Sequence, residues 1–143
     1  MNCQSFETES GYLCVYEKDG RVFKIQFNQR CEGKINREIA TQFQEYLEGR
    51  RKTLDFPVEV PGTEFQKRVW ASLRKIPYGH VVTYKELAEK LKTAPRAVGQ
   101  ALKANPLPIY FPCHRVVAKD SIGGFTGGIQ WKRMLLKIEG CEF

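Results

Sequence analysis

Apolar and polar residues alternate with a period of two over residues 12–27, around an Asp19-Gly20 dipeptide. Asp-Gly between alternating stretches is typical of a tight turn, so this region predicts a β-hairpin. Over residues 35–47 apolar side chains recur every four positions, and Gly49 follows, which predicts a helix and its end. A short third strand is expected within residues 56–60.

Three further helices are predicted in the second half. Thr63-x-x-Gln66 and Thr83-x-x-Glu86 both have the spacing of a capping box, and each precedes a helical apolar pattern, over residues 65–76 and 87–91. Thr93 is expected to cap the next helix, which Asn105-Pro106 ends. The last two helices have the dimensions of a helix-turn-helix. Such a pair binds DNA in some proteins and forms only core in others.

These patterns predict two domains, residues 1–57 and 58–143, with the boundary near residues 57–62. The first is expected to be a small α/β domain with an antiparallel sheet and one helix. The second is expected to be mainly helical and winged-helix-like, since its apolar pattern is helical almost throughout.

The composition excludes several classes of protein. The chain has 143 residues, 42% of them apolar, which suits one medium domain or two small ones. No apolar run approaches the roughly 20 residues that span a bilayer, and residues 1–10 have no apolar stretch of signal-peptide type. We therefore expect a soluble cytoplasmic protein that does not bind membranes.

Positive charge is concentrated in the second predicted domain. Residues 1–57 contain nine Lys/Arg and nine Asp/Glu, whereas residues 58–143 contain fourteen Lys/Arg and seven Asp/Glu. The whole formal net charge of +7 is therefore in the second domain. This asymmetry favours a basic face for a polyanion, although it also occurs in proteins with no such partner.

The cysteine pattern argues against a disulfide framework. The five cysteines are Cys3, Cys14, Cys31, Cys113 and Cys141, and the two histidines are His80 and His114. The number is odd and no pair has CxxC spacing. We interpret Cys3, Cys14 and Cys31 as small buried side chains, with a bridge between two of them as the alternative. Without a nearby histidine they are a poor zinc set.

The apolar stretch 109–117 contains the most informative pair of residues. A strand-like run over residues 109–111 stops at Pro112, and Cys113 and His114 follow. A thiol has a pKa of roughly 8.5 and attacks as thiolate, so an adjacent base would activate it. When the pair is considered alone, a buried cysteine at the end of a strand is the better explanation.

The segments around this pair resemble a known family. They are Arg96-Ala97-Val98-Gly99, Asn105-Pro106, Pro112-Cys113-His114-Arg115-Val116, the glycine-rich segment 123–128 and Leu135-Leu136-Lys137-Ile138-Glu139-Gly140. Together they resemble the O6-alkylguanine-DNA alkyltransferases over residues 63–140. Residues 1–57 match only in layout, which in this family is a ribonuclease-H-like domain.

The resemblance implies irreversible DNA repair that each protein molecule performs once. Cys113 would take the alkyl group from O6 of a guanine flipped out of the duplex. His114 would act as its base through a water molecule, and Glu139 would hold the imidazole. Tyr84 would donate to the leaving guanine and crowd the adjacent phosphate, and Asn105 would support the active-site strand.

The resemblance also assigns the DNA and substrate contacts. Arg96 would fill the gap left by the flipped base, the alternative being a phosphate contact. The second helix of the helix-turn-helix would lie in the minor groove of DNA. Four more of its residues would contact the DNA: Ala97, Gly99, Gln100 and Lys103. The substrate pocket would be lined by Pro108, Val116, Phe125 and Thr126.

Other consequences of the resemblance concern partners and cofactors. The expected partner of a monomeric, nucleoid-associated protein is double-stranded DNA containing O6-alkylguanine, and neither metal nor organic cofactor is expected. The chain lacks the Cys/His set that binds zinc in some relatives.

Arg115 is expected to pair with the first domain, with a DNA contact as the alternative. Lys132 is expected to order the active-site loop, with a solvated position on the helix as the alternative. The alternative function is lesion recognition without transfer, as in alkyltransferase-like proteins, which replace the cysteine.

Overall fold

The N-terminal half is built around an antiparallel sheet. The computed structural model describes residues 1–141. Strands β1 (Asn2–Thr8), β2 (Gly11–Lys18) and β3 (Arg21–Phe27) pair in that order. The predicted hairpin is confirmed as β2 and β3. Strand β1 was not predicted, because Phe6 is its only buried residue and leaves no alternating pattern.

Helix α1 (Arg37–Leu47) confirms the helix predicted over residues 35–47. It begins after Asn36, whose side chain accepts hydrogen bonds from the Glu38 and Ile39 amides. The predicted third strand is wrong, since residues 56–60 contribute a single bridge between Val58 and Val22. The flanking prolines at positions 57 and 61 have no N–H to extend a ladder.

The helices of the second half are α2 (Glu64–Leu73), α3 (Tyr84–Leu91), α4 (Pro95–Lys103) and α5 (Ile129–Ile138). Both capping boxes form, at Thr63 and at Thr83. Thr93, however, does not cap α4. Its amide closes the end of α3 by donating to the Ala88 carbonyl, and Ala94 is the N-cap of α4. Helix α2 also ends three residues before the predicted residue 76.

The segment that leads to Cys113 is a turn rather than the predicted strand. Ile109 has a φ of +78°, a backbone conformation that costs a β-branched residue roughly 1–3 kcal/mol. A 3-10 turn over Cys113–Arg115 follows, and β5 (Val116–Val117) then pairs in parallel with β4 (Val82–Thr83). The strand prediction failed because an apolar run of three residues does not distinguish a strand from a buried turn.

One hydrophobic core runs through both halves of the described chain. Its members include Phe43 of α1, Trp70 of α2 and Trp131 of α5. Polar contacts join the halves as well: the Ile25 amide donates to the Pro106 carbonyl over 3.0 Å. Among residues 1–141, no helix has the length and apolar character needed to cross a bilayer.

The three N-terminal cysteines do not share one environment. Cys14 is fully buried, as expected, but Cys3 and Cys31 are partly exposed and the interpretation as buried side chains is wrong for them. Cys3 lies near the start of β1, and Cys31 lies in an irregular loop. At both places part of the cysteine side chain is exposed to solvent.

Candidate active site

Asn105 holds the turn that precedes Cys113. Its side-chain amide donates to the Phe111 carbonyl over 3.0 Å, and its side-chain oxygen accepts from the Leu107 amide over 2.9 Å. The Asn105 side chain therefore fixes both ends of the turn that contains the strained Ile109.

Cys113 lies at the floor of a cleft of about 500 Å³. The side chain is buried, and burial raises the pKa of the thiol to about 11, although a hydrogen bond with Asn105 and the charge of Lys132 oppose this. The thiol is therefore protonated near neutral pH, and a nucleophilic role requires a group that removes its proton.

His114 is completely buried and forms a pair with Glu139. Its Nε2 lies 2.7 Å from Glu139 Oε2, whereas its Nδ1 has no hydrogen-bond partner among the described residues. Burial lowers the pKa of His114 despite the opposing carboxylate, so the ring is neutral near pH 7. A neutral ring that donates from Nε2 keeps a lone pair on Nδ1, which can accept a proton.

Glu139 is the centre of a buried hydrogen-bond network. Besides His114, it accepts from Arg115 Nε over 2.8 Å, from the Tyr46 hydroxyl over 2.5 Å and from the Gly79 amide over 3.3 Å. Burial opposes ionisation, but the hydrogen bonds from His114, Arg115 and Tyr46 outweigh it and hold the pKa of Glu139 well below its usual range. The carboxylate is charged and fixes the imidazole.

Arg115 does not pair with the first predicted domain, contrary to expectation. Its guanidinium donates to Glu139 and, through Nη1, to the Ile76 carbonyl over 2.7 Å, both in the second half. The side chain is buried, which also disfavours the alternative of a DNA contact. The reason is local: the 3-10 turn directs Arg115 towards the end of α5, where Glu139 supplies the opposite charge.

The residue of the N-terminal half that contacts the Glu139 network is Tyr46, which was not predicted from the sequence. Tyr46 lies on the buried face of α1, and its hydroxyl reaches both Glu139 and, at 3.4 Å, His114 Nε2. Its spacing from Ile39 and Phe43 is helical, so burial was predictable. Its polar partner, more than ninety residues away in the sequence, was not.

The walls of the cleft come from α3, α4 and the glycine-rich segment. They are Tyr84, Gly99, Leu102, Lys103, Gly124, Phe125 and Thr126. Pro108 lines a smaller adjoining cavity of about 230 Å³, which also reaches Cys113. Val116 lines neither of these two cavities. It is fully buried, and its carbonyl accepts from Lys132 over 2.7 Å, so its predicted place in the pocket wall is not observed.

Lys132 orders the segment beside the cleft. It is completely buried, so the alternative of a solvated position on the helix is wrong. Its ammonium group bridges the Val116 and Gly124 carbonyls at 2.7 and 2.9 Å. Burial lowers the pKa of Lys132 to about 8, and Cys113 opposes that shift. The buried cation favours the thiolate form of Cys113.

Five of the six predicted DNA-contact residues share one exposed side of α4, whereas Tyr84 is the first residue of α3. Arg96, Gln100 and Lys103 are exposed, and Ala97 and Gly99 are partly exposed. Arg96 forms no hydrogen bond or ion pair with any other described residue, so its guanidinium is available to an external partner. Lys103 and Gly99 also line the cleft, which places this surface beside Cys113.

Replacing Tyr46 with phenylalanine should weaken the Glu139 network without changing its packing. A hydrogen bond to a charged group contributes about 1.5–3 kcal/mol, and the free energy of unfolding should fall by that amount. The pKa of Glu139 should rise, and stability that depends on a depressed carboxyl pKa is lost as pH falls. Acid unfolding should therefore begin at higher pH, as followed by circular dichroism. Tyr12→Phe, at a partly exposed position in the sheet, is the control and should change neither property.

The chain is similar to known proteins over most of its length. The profile of the family "6-O-methylguanine DNA methyltransferase, DNA binding domain" matches residues 64–141. A methylated-DNA–protein-cysteine methyltransferase from Saccharolobus islandicus is 37% identical over 142 residues, which cover 96% of this chain and 94% of the relative. One of the same name from Archaeoglobus fulgidus is 39% identical over 136 residues, covering 90% and 92%.

Solved structures agree with the fold over nearly the whole described chain. The O6-methylguanine methyltransferase of Mycobacterium tuberculosis superimposes with a TM-score of 0.85 at 31% identity, covering 96% of this chain and 92% of that one. A structure of the Mycobacterium tuberculosis protein in complex with DNA gives a TM-score of 0.83 at 30% identity, covering 97% and 92%. With the profile match and full-length relatives, this shows that the chain belongs to the O6-methylguanine-DNA methyltransferase family.

Proposed function

We propose that this protein repairs DNA by transferring the alkyl group of O6-alkylguanine irreversibly to Cys113. The observation that carries the proposal is the buried Cys113 thiol in a cleft, next in sequence to a buried imidazole that lies 2.7 Å from the Glu139 carboxylate. The relatives described above, which are named methylated-DNA–protein-cysteine methyltransferases, also support the proposal, because they align with nearly the full chain.

The transfer is a single displacement. The Cys113 sulfur forms a bond to the alkyl carbon as the bond from that carbon to guanine O6 breaks. The thiol proton passes to His114 Nδ1, whose lone pair has no other partner, through an intervening water molecule. Tyr84 lies at the cleft mouth, its hydroxyl 3.5 Å from the Gly124 carbonyl, where it can donate to the leaving guanine. The product thioether is stable, so each molecule acts once.

DNA would bind across α3 and α4, which form a helix-turn-helix. The base must leave the duplex to reach Cys113, because the thiol is at the bottom of the cleft. The exposed, unpaired Arg96 at the start of α4 would fill the gap in the stack. The small residues Ala97 and Gly99 permit close approach to a narrow minor groove, which gives the degenerate sequence readout that a scanning protein needs.

Several finer assignments go with this function. The three-stranded sheet with α1 is ribonuclease-H-like, and α2 to α4 with the β4–β5 pair form a winged-helix-like unit. The division falls near residues 57–62. The protein acts as a monomer, in the cytoplasm and on the nucleoid.

Lesion recognition without transfer is the less favoured function. Alkyltransferase-like proteins replace the nucleophile, whereas Cys113 is present here. Its base, its positioning carboxylate and a buried lysine are present too. A protein that only recognised the lesion would not need this buried proton-transfer network.

The proposal is tested by intact mass after mixing the protein with a duplex that contains one O6-methylguanine. The expected result is the mass of one methyl group per molecule, located on Cys113 by peptide mapping, with no further gain under excess substrate. Lesion-dependent binding without a change in mass would assign the protein to the recognition class instead.

Replacing Arg96 with alanine should slow repair in duplex DNA by about 10- to 100-fold, because unstacking a base costs a few kcal/mol that the inserted side chain no longer offsets. Reaction with the free base O6-methylguanine should be nearly unchanged, since no stack has to open. Single-turnover rates on both substrates provide the measurement. Lys90→Ala, which removes an exposed positive charge from α3, controls for general phosphate attraction. Equal losses on duplex and free base would exclude insertion.

A further inference from the structure

Three cysteines from separate parts of the chain converge outside the two cavities that Cys113 lines. Cys3 is on β1, Cys14 on β2 and Cys31 in the loop between β3 and α1. Their sulfur atoms all lie within 4.8 Å of one another, and those of Cys14 and Cys31 are 2.7 Å apart. The alkyl-transfer chemistry uses none of them, so the cluster needs its own explanation.

The backbone holds these cysteines in place. The strand register sets Ser5 opposite Cys14, and the Ser5 hydroxyl binds the backbone of Cys31, accepting from its amide over 2.6 Å and donating to its carbonyl over 2.9 Å. At Gly33, where φ is +139°, a side chain would come within 2.8 Å of the Cys3 carbonyl oxygen. Only glycine lets this loop pass so close to β1, so the three sulfurs are brought together before any ligand binds.

The sequence, which offers no nearby histidine, indicates a poor zinc set, but the fold brings three thiol groups together and so supplies donors that a thiophilic metal ion can use. Thiolates select Zn²⁺ and other soft or borderline ions. Tetrahedral zinc with bonds of about 2.3 Å keeps its sulfurs about 3.8 Å apart. The three sulfurs here lie within 4.8 Å of one another, and those of Cys14 and Cys31, which are 2.7 Å apart, would separate by about 1 Å to bind the ion. A disulfide would use two of the sulfurs and leave the third without a role, whereas an ion uses all three.

The exposure of the cluster would let an ion reach it. Cys14 is fully buried while Cys3 and Cys31 are partly exposed, which leaves one side open for an ion to enter and for a fourth ligand from solvent.

We propose that Cys3, Cys14 and Cys31 form a structural site for one thiophilic metal ion, for which Zn²⁺ is the probe. Each sulfur exchanges its proton for a bond to the metal, the protons leave to solvent, and no oxidant is needed. The bound ion would tie β1, β2 and the loop before α1 together. It would stabilise the N-terminal domain without taking part in alkyl transfer.

The test uses the full chain, reduced and stripped of metal. Titration with Co²⁺ should produce thiolate-to-cobalt charge-transfer absorption that saturates at one ion per chain and disappears when Zn²⁺ is added. Zn²⁺ should also raise the thermal unfolding midpoint. Cys3→Ser and Cys31→Ser, at partly exposed positions that should fold, should each weaken zinc binding by at least about 100-fold. Cys141→Ser, outside the cluster, is the control and should bind like the parent.

Two outcomes would overturn the site. Unchanged metal affinity in Cys3→Ser and Cys31→Ser would place the ion elsewhere. Free thiols would also be counted in denatured protein that was purified without reductant. A count of three rather than five would show a disulfide instead of a metal site. Because Cys31→Ser should still accept one methyl group on Cys113, failure of this proposal is distinguishable from failure of the proposed function.

Discussion

Replacing Cys113 with alanine should abolish methyl transfer and leave DNA binding intact. The sulfur is the atom that would form the new bond, and no other described cysteine lines the cleft, so no substitute nucleophile is available. The side chain is small and lies beneath the α4 surface rather than on it. The dissociation constant for DNA containing O6-methylguanine should therefore stay within about threefold, a change well below 1.4 kcal/mol.

Intact mass and fluorescence anisotropy measure these two properties in the same preparation. Cys141→Ala is the matched control: it makes the same substitution at a partly exposed cysteine whose thiol donates to the Gly79 carbonyl. That variant should still gain one methyl group. A methyl group recovered on Cys113→Ala protein would show that another residue is the acceptor.

Replacing Glu139 with glutamine should have the second largest effect, on both stability and rate. Arg115 would keep a buried positive charge without its partner, and breaking a buried pair in this way costs about 3–5 kcal/mol. The amide would also present donors to Tyr46, which itself donates to this position. We expect methyl transfer to slow by about 10²- to 10⁴-fold, the range supplied by positioned acid–base groups.

The pH dependence of stability separates the role of the carboxylate from simple loss of packing. The pKa of Glu139 in the folded protein lies below its unfolded value, so its stabilisation is complete above about pH 4.3 and is lost as pH falls further. The buried neutral His114 adds to acid sensitivity from about pH 6.5 downward for the same reason. Glu139→Gln should remove the lower part of this dependence.

Glu59→Gln makes the same chemical change at an exposed position and should alter neither stability nor rate. Rates should be compared at a temperature where all three proteins are folded by circular dichroism. A Glu139→Gln protein that is folded and transfers methyl at the parental rate would remove Glu139 from the positioning role.

The sequence predicted local structure well where a short pattern decides it. The Asp19-Gly20 hairpin and the two capping boxes depend on residues within a few positions of each other, and all three form. Thr93 and the run at 109–111 were predicted wrongly because tertiary context decided them. The left-handed Lys92 ends α3 one residue before Thr93, and Asn105 clamps the turn around Ile109.

The candidate site was predictable only in part for the same reason. The pair Cys113 and His114 was ambiguous on its own, and both the chemistry and the role of Glu139 followed from the family resemblance. Tyr46 and the direction of Arg115 were not accessible, because their partners are distant in sequence and are chosen by the packing of α1 and α5. The convergence of the N-terminal cysteines also depends on strand register and on a loop that only Gly33 permits.

The contact between Tyr46 and Glu139 limits how far the protein can be shortened. The C-terminal half contains the nucleophile, the base and the DNA-binding helices, and so looks like a self-sufficient minimal unit for tagging or engineering. Yet the carboxylate that orients its imidazole takes a donor from α1, and a truncated protein would expose that oxygen to solvent. Any miniaturised version would have to provide a replacement donor and a cover for the core, which makes the two halves inseparable as a working module.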